Sequence, residues 1–236
     1  MQKQFFLKKL ANITAKKIIN SRDNIEFFKE PFEHVILDKI FDKKVADKLY
    51  KSFPPLNNRF WEKSNLKDIE IKYRSKWKSE FDVPENIIDI VRVLNSSIIL
   101  NALAKRMKIK KLISDPYYSG GGLNLTTKGG LLDVHVDGNY HDATGLNRRL
   151  NLLIYFCKSW KSDYGGELCL YDRFGKKLIK KIEPLFNRLV IFNTHDYSYH
   201  GLPDKVNFPE KKPRKSVILY YYTKEPRPTK DTKISK

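Results

Sequence analysis

GGLLDVHVD, residues 129–137, opens on a pair of glycines and runs into alternating apolar and polar side chains. A period of two is the mark of a β-strand, in which residues i and i+2 share a face. Val134 and Val136 then face one way, and His135 and Asp137 the other. Two polar groups aimed together off a short apolar strand point to a site rather than to a core. Alone, an H-x-D triplet decides little, because an exposed edge strand would carry it equally well.

The same texture extends from about residue 112 onward. Short β-branched or aromatic runs are cut by turn signals: GGGLNLTT (120–127), RRLNLLIYFC (148–157), GGELCLYD (165–172), KKLIKKIEPL (176–185), NRLVIFN (187–193) and KSVILYYYT (215–223). Short strands at this spacing predict an all-β sandwich or barrel. Gly129–Gly130 and Gly165–Gly166 fit as turn residues, placed for positive φ rather than for phosphate.

Upstream, the periodicity is helical. Residues 3–20 place Phe6, Leu10, Ala11 and Ile13 near one stripe and lysines elsewhere, which predicts a helix packed on the domain behind it. FEHVILDKIF (32–41) reads as a strand and a turn. DKKVADKLYKSF (42–53) reads as an amphipathic helix with Asp42 as N-cap, stopped by Pro54 and Pro55. Residues 56–82 look irregular and charged, and 84–107 reads as one long helix with Pro84 in its first turn. The expectation is one domain over 1–236: a helical support region at 1–111, a β-core at 112–225, and a flexible, Pro-rich, charged tail at 226–236.

No apolar run approaches the roughly 20 residues that span a bilayer. The first 20 residues are broken by lysines and lack the continuous apolar stretch of a signal peptide. Cys157 and Cys169 are the only cysteines, so no disulfide framework is implied, and a cytoplasmic location is expected. The formal net charge is +19. It comes from 35 Lys and 11 Arg spread along the whole chain. Phosphate recognition that specifies geometry favours the planar Arg fork. The surplus therefore reads as a solvated lysine-rich surface with no specific nucleic-acid partner.

A metal at His135 and Asp137 needs a further ligand. After NRLVIFN comes THDYSYHGLPD (194–204), which offers His195 and His200. The last strand then starts at Arg214, and alternation puts Arg214, Ser216, Ile218 and Tyr220 on one face. An Arg with a hydroxyl two positions on is a ready carboxylate clamp. His135, Asp137 and His200 together form a two-His-one-carboxylate set, which leaves three positions open on Fe(II).

In these residues the chain resembles the Fe(II)- and 2-oxoglutarate-dependent oxygenases, in their prolyl-4-hydroxylase-like branch. The resemblance covers roughly residues 115–225. It rests on H-V-D, RRLNLLIYFCKSW (148–160), GGELCLYD, IEPLFNRLVIFN (182–193), SYHG (198–201) and Arg214, in that order. It implies a mostly β fold with N-terminal helices (α+β), its core a double-stranded β-helix or jelly roll. It also implies Fe(II) on His135, Asp137 and His200, 2-oxoglutarate as co-substrate, O₂, and ascorbate as an accessory reductant. Arg214 would anchor the co-substrate's distal carboxylate, helped by Tyr155 and Ser216. Asn151 shares a face with Leu153 and Tyr155, and is expected to point into the barrel toward the co-substrate.

His195 is the alternative third ligand. His141 is expected beside the ligands or the substrate, and Asn139 either on substrate or shaping the turn after Gly138. Trp77 and Trp160 are expected in core or rim. Because Asp137 is present, no small residue vacates a place for a halide, so hydroxylation is the expected outcome. A nucleic-acid demethylase of the same superfamily would resemble an Arg-x5-Arg pair on the last strand, but here Tyr220 stands six after Arg214. The expected substrate is a prolyl-containing peptide, or else a small molecule or saccharide. A non-catalytic jelly-roll binding protein is the competing class. Oligomeric state is not legible.

Overall fold

The structure is a computed structural model and describes residues 1–20, 25–77 and 79–233. The chain opens with α1 (Gln2–Asn20), which buries Leu10, Ala11, Thr14, Ala15 and Ile18. That stripe follows the helical repeat, but it is rotated from the one expected: Phe6 stays half exposed. Next come β1 (Ile25–Phe28) and β2 (His34–Leu37), then α2 (Lys43–Lys51). Asp42 stands at the N-cap of α2 with extended backbone, and its carbonyl accepts the Ala46 N–H, but its side chain makes no capping bond.

Residues 56–82 are not irregular throughout. They hold a hairpin of β3 (Trp61–Leu66) and β4 (Glu70–Ser75). Charged residues on both of its faces hide the alternation. The pairing is held across the strands instead: Glu62 faces Arg74 at 3.4 Å, and the Lys63 ammonium lies 5.9 Å from the Tyr73 ring.

The long apolar helix is two helices, α3 (Glu85–Leu94) and α4 (Ser97–Met107), bent by 51°. Ser96 causes the break. Its hydroxyl donates to the Val93 carbonyl at 2.6 Å, and its backbone is extended, so it ends one helix and starts the next. Among the described residues no single helix is long and apolar enough to cross a membrane.

The remainder is β: β5 (Ile113–Ser114), β6 (Gly122–Thr126), β7 (Leu131–His135), β8 (Asn147–Tyr155), β9 (Leu168–Tyr171), β10 (Leu178–Ile182), β11 (Arg188–Asn193), β12 (His200–Leu202) and β13 (Arg214–Thr223). The antiparallel path runs β1-β2-β11-β8-β13-β6-β4-β7-β12-β9-β10, with β3 on β4 and β5 on β13. The two ends of this path meet: Lys180 on β10 sets its ammonium 3.3 Å from the ring centroid of Phe28 on β1. The sheet is thereby curled on itself, a jelly-roll core with helices on its outside.

The strand phases follow from that geometry. On β8, Leu150, Leu152 and Ile154 pack outward with the helices, while Leu153 and Tyr155 point into the barrel. On β13, Val217, Leu219 and Tyr221 face the helical layer, which leaves Ser216, Ile218 and Tyr220 for the interior. Strands covered on both faces read as near-continuous apolar runs. Leu150, Leu152 and Ile154 are all fully buried, at roughly 1.5–3 kcal/mol each. This packing fixes the phase of every inward-facing polar residue.

The C-terminal segment also differs from expectation as far as Lys233. Arg227 is buried, Asp231 accepts from the Asp196 N–H, and the Lys233 N–H donates to Asp196 Oδ2. Its prolines and charges predict a frayed end, but Arg227 is ion-paired with Asp196 and the Lys233 ammonium donates to the Tyr199 hydroxyl. Residues 234–236 of the expected tail lie outside the described residues.

Candidate active site

β7 and β12 run antiparallel with His200 opposite His135, and the ring centroids are 4.4 Å apart. Gly201 permits this approach. A Cβ there would lie 2.8 Å from the carbonyl oxygens of Leu132 and Asp133. Asp137 lies just beyond β7 and keeps the two-residue phase with His135. Its Oδ1 is 3.8 Å from His135 Nε2, and its Oδ2 is 3.9 Å from His200 Nε2. One donor atom from each residue lies within 4.8 Å of the other two, the one such His/Cys/Asp/Glu cluster among the described residues.

The backbone sets both imidazoles for ligation. His135 Nδ1 is 2.8 Å from the Asp133 carbonyl, and His200 Nδ1 is 2.9 Å from the Ser198 carbonyl. A carbonyl only accepts, so each Nδ1 carries the hydrogen and each Nε2 keeps a free lone pair. Burial pushes the His200 pKa down to about 4; the Asp137 charge opposes that and His135 adds to it. The ring is therefore neutral near pH 7. Burial disfavours ionised Asp137, but His200, Arg148, His135 and a hydrogen bond from Asn151 outweigh it and hold its pKa below the ordinary value. Two imidazoles, each with Nδ1 held by a backbone carbonyl, and one carboxylate form a donor set suited to a divalent transition metal.

These three residues line a cavity of about 370 Å³ inside the barrel, shared with Arg214, Ser216, Asn151 and Tyr220. Arg214 is buried, and its Nε donates to the Gly166 carbonyl at 2.8 Å. Gly166 has φ +81°, and a Cβ there would lie 2.8 Å from the Phe208 ring and 3.1 Å from Arg214 Cδ. The glycine thus provides both the turn and the room for the arginine. The Arg214 guanidinium carbon lies 4.7 Å from the Tyr155 ring centroid, and Ser216 faces Tyr155 across the β8–β13 pairing.

Arg214 Nη2, Ser216 Oγ and the Tyr155 hydroxyl are all buried without a hydrogen-bond partner. Buried polar groups are normally paired, at about 1–3 kcal/mol for each one left open. Three unpaired groups, one cationic and two hydroxyl, fit a carboxylate. They fit the distal end of 2-oxoglutarate, as the metal-suited donor set fits Fe(II).

Asn151 does point into the barrel, but its partner is the carboxylate. Nδ2 donates to Asp137 Oδ2 at 2.9 Å, while Oδ1 is left unpaired. His195 lies outside the cluster. Its Nδ1 accepts the Tyr197 N–H, and its ring packs edge-on to Phe32. His141 is a loop-shaping residue: Nε2 meets Asp115 at 2.9 Å, and Nδ1 accepts from the Ala143 and Thr144 N–H groups. Asn139 is likewise held, its Oδ1 accepting from Arg227 at 2.7 Å. Trp77 is buried in the core, and half-buried Trp160 donates to the Gly165 carbonyl. Both cysteines are buried, with thiol pKa values pushed up by burial to about 11, and are therefore unreactive.

Sequence reasoning missed Arg148. Its guanidinium lies 4.1 Å from the Tyr220 ring centroid, and Nη1 is 3.9 Å from Asp137 Oδ1. Alternation back from Tyr155 would put Arg149 inside. A register shift pairs Leu150 with Tyr221 and Arg148 with Tyr222, which swaps the two arginines. No local sequence signal marks that bulge.

The 2OG-Fe(II) oxygenase superfamily model matches residues 121–222, the span from β6 almost to the end of β13. This span carries His135, Asp137, His200 and Arg214. In these residues the chain is similar to 2OG-Fe(II) oxygenases. A curated relative, the prolyl 3-hydroxylase OGFOD1 of Mus musculus, is 31% identical over 86 residues, which is 35% of the chain and 15% of that protein. The chain thus spans a small part of that relative's length.

Among solved structures, the chain shares its fold with a Trichoplax adhaerens prolyl hydroxylase in complex with a hypoxia inducible factor oxygen degradation domain peptide fragment. That match has TM-score 0.56 at 17% identity, over 94% of this chain and 93% of the other. A Pseudomonas putida prolyl-4-hydroxylase matches with TM-score 0.57 at 12% identity, over 91% and 98%. The prolyl 4-hydroxylases of Phytophthora capsici give TM-score 0.58 at 20% identity, over 92% and 65%. The jelly-roll core and its N-terminal helical layer are therefore those of the prolyl hydroxylase fold.

Proposed function

We propose that this protein is an Fe(II)- and 2-oxoglutarate-dependent dioxygenase that hydroxylates an unactivated C–H bond, with succinate and CO₂ as co-products. One observation carries the reading. The converging donor atoms of His135, His200 and Asp137 share a cavity with Arg214 and Ser216, and Arg214 Nη2, Ser216 Oγ and the Tyr155 hydroxyl beside them are buried without a hydrogen-bond partner.

His135, Asp137 and His200 would hold Fe(II), and Arg214 with Ser216 and Tyr155 would take the far carboxylate of 2-oxoglutarate. Fe(II) bound there supplies O₂ activation driven by the oxidative decarboxylation of 2-oxoglutarate. The protein's own work is orientation and exclusion of water. The Asp133 and Ser198 carbonyls fix the ring nitrogens. Asn151 fixes the Asp137 carboxylate, and Leu153, Leu168 and Ile218 line the cavity with hydrocarbon. His135 is 34% exposed at its side chain while His200 and Arg214 are buried, so the substrate would enter on the His135 side.

For the substrate, the reading is a prolyl residue in a peptide. The support is that the relative sharing sequence is a prolyl 3-hydroxylase, and that one solved relative holds a peptide fragment. The test is incubation with Fe(II), 2-oxoglutarate and O₂ against a panel of prolyl peptides and small metabolites, read by product mass. A gain of one oxygen on a prolyl peptide, matched by succinate, supports the reading. Oxygen gained only by a free metabolite would move the substrate away from peptides. A desaturated product would overturn hydroxylation.

A further inference from the structure

Beyond the cavity, one buried guanidinium joins the segments that bear the metal-binding cluster. Arg227 lies past the end of β13 and does not line the cavity. Its side chain is 3% exposed. Nη2 donates to Asn139 twice, at 2.7 Å to Oδ1 and 3.2 Å to the carbonyl. Nη1 donates to Asp196 Oδ1 at 2.9 Å, and Nε donates to the Arg148 carbonyl at 3.1 Å.

Each of these partners leads to the cluster. Asn139 is two residues after Asp137. Asp196 is four residues before His200. Arg148 carries the guanidinium that lies beside Asp137. The tail reinforces the same loop: the Asp196 N–H donates to the Asp231 carbonyl, the Tyr197 hydroxyl to the Thr232 carbonyl, and the Lys233 N–H to Asp196 Oδ2. β7 and β12 already set His135 against His200. Asp137, by contrast, lies beyond its strand; Asn151 holds its carboxylate and the Arg148 N–H bonds the Asn139 carbonyl, and Arg227 adds the tie from this loop to the loop before His200. A planar fork with several donors in fixed directions can bridge three backbone segments at once, which a lysine cannot.

We infer that Arg227 is a positioning residue for the metal centre, a clamp that holds the Asp137 loop, the start of β8 and the loop before His200 in the spacing ligation requires. The inference rests on the reading of His135, Asp137 and His200 as metal ligands. Groups that orient ligands from behind typically contribute about 10- to 100-fold in metal affinity.

The test uses the full chain and Co(II) as probe, without turnover. Titration is followed by calorimetry and by the Co(II) ligand-field spectrum, for wild type, Arg227→Met, Arg227→Lys, Asn139→Ala and Asp196→Asn. Leu103→Ala, in buried α4 away from the cluster, serves as a control for general destabilisation. The expected result is a Co(II) dissociation constant raised about tenfold or more by Arg227→Met, with an altered spectrum. Arg227→Lys should recover only part of the loss. Leu103→Ala should lower Tm and leave affinity and spectrum unchanged. Asn139→Ala and Asp196→Asn keep the test valid if Arg227→Met fails to fold, and each should weaken binding less than Arg227→Met. Wild-type affinity and spectrum in all the clamp variants would overturn the inference while leaving the ligand assignment intact. Failure of wild type to bind Co(II) would overturn both.

Discussion

His135 and His200 are direct partners in the antiparallel β7–β12 pairing, although 65 residues separate them in the chain. Their Nδ1 atoms each meet the carbonyl two residues earlier, so both Nε2 atoms are free on the same side as Asp137. The ligand geometry is thus built from strand register and backbone hydrogen bonds before any metal binds.

This relationship separates His200 from His195. His200→Ala should remove most Fe(II) affinity, because the described cluster has no spare protein ligand. His195→Ala should retain it, with some loss of stability from the contact to Phe32. Parallel metal titrations decide the matter. Metal retained by His200→Ala and lost by His195→Ala would reverse the assignment.

Arg214 should act on the co-substrate and not on the metal. A charge-assisted bond to a buried carboxylate contributes roughly 1.5–3 kcal/mol, so Arg214→Ala should raise the apparent constant for 2-oxoglutarate about ten- to a hundredfold. Tyr155→Phe removes one neutral hydroxyl and should cost less than tenfold. Equal 2-oxoglutarate dependence in wild type and Arg214→Ala would take Arg214 out of the site.

The metal-free protein should lose stability as pH falls from about 6.5 to about 4. His34 and His200 are buried, and burial lowers both pKa values from 6.5 to about 4. In that window the unfolded chain binds protons that the folded chain refuses, so stability rises with pH. Near pH 7 both states are neutral at these groups and the effect vanishes. For His34, the shift corresponds to roughly 3 kcal/mol across the window. Thermal melts of wild type and His34→Gln should show a shallower slope in the variant. A flat wild-type Tm from pH 7 to pH 4 would contradict the account.

The lysine surplus should confer only weak, sequence-indifferent binding to DNA or RNA. Binding that comes from counterion release falls steeply with salt. Filter-binding titrations at two salt concentrations with unrelated sequences check this. Submicromolar affinity at physiological salt with a clear sequence preference would overturn it.

The sequence made the core strands legible because jelly-roll strands covered on both faces must be apolar, and it made the site legible because its polar residues interrupt that pattern in phase. His135 with Asp137, and Arg214 with Ser216, follow from alternation, whereas Tyr155 comes from the resemblance. Arg148 was hidden by a bulge, a property of the β8–β13 pairing and not of either strand alone. The β3–β4 hairpin was hidden because its stabilising pairs are charges and aromatics on exposed faces. Asn151 was placed on the correct face, but its partner proved to be the Asp137 carboxylate, 14 residues away in sequence. Arg227 stood in a Pro-rich, charged segment, where sequence shows the charge and not the three segments that converge on it.

The central claim, that this cavity couples 2-oxoglutarate oxidation to substrate hydroxylation through His135, Asp137 and His200, is tested most directly by succinate formation. The protein is loaded with Fe(II) and labelled 2-oxoglutarate without O₂, then exposed to O₂, and labelled succinate is quantified in wild type, Asp137→Ala and His200→Ala. The account predicts O₂-dependent succinate in wild type and none above background in either variant. Absence of succinate from metal-loaded wild type, or equal succinate in the variants, would contradict it.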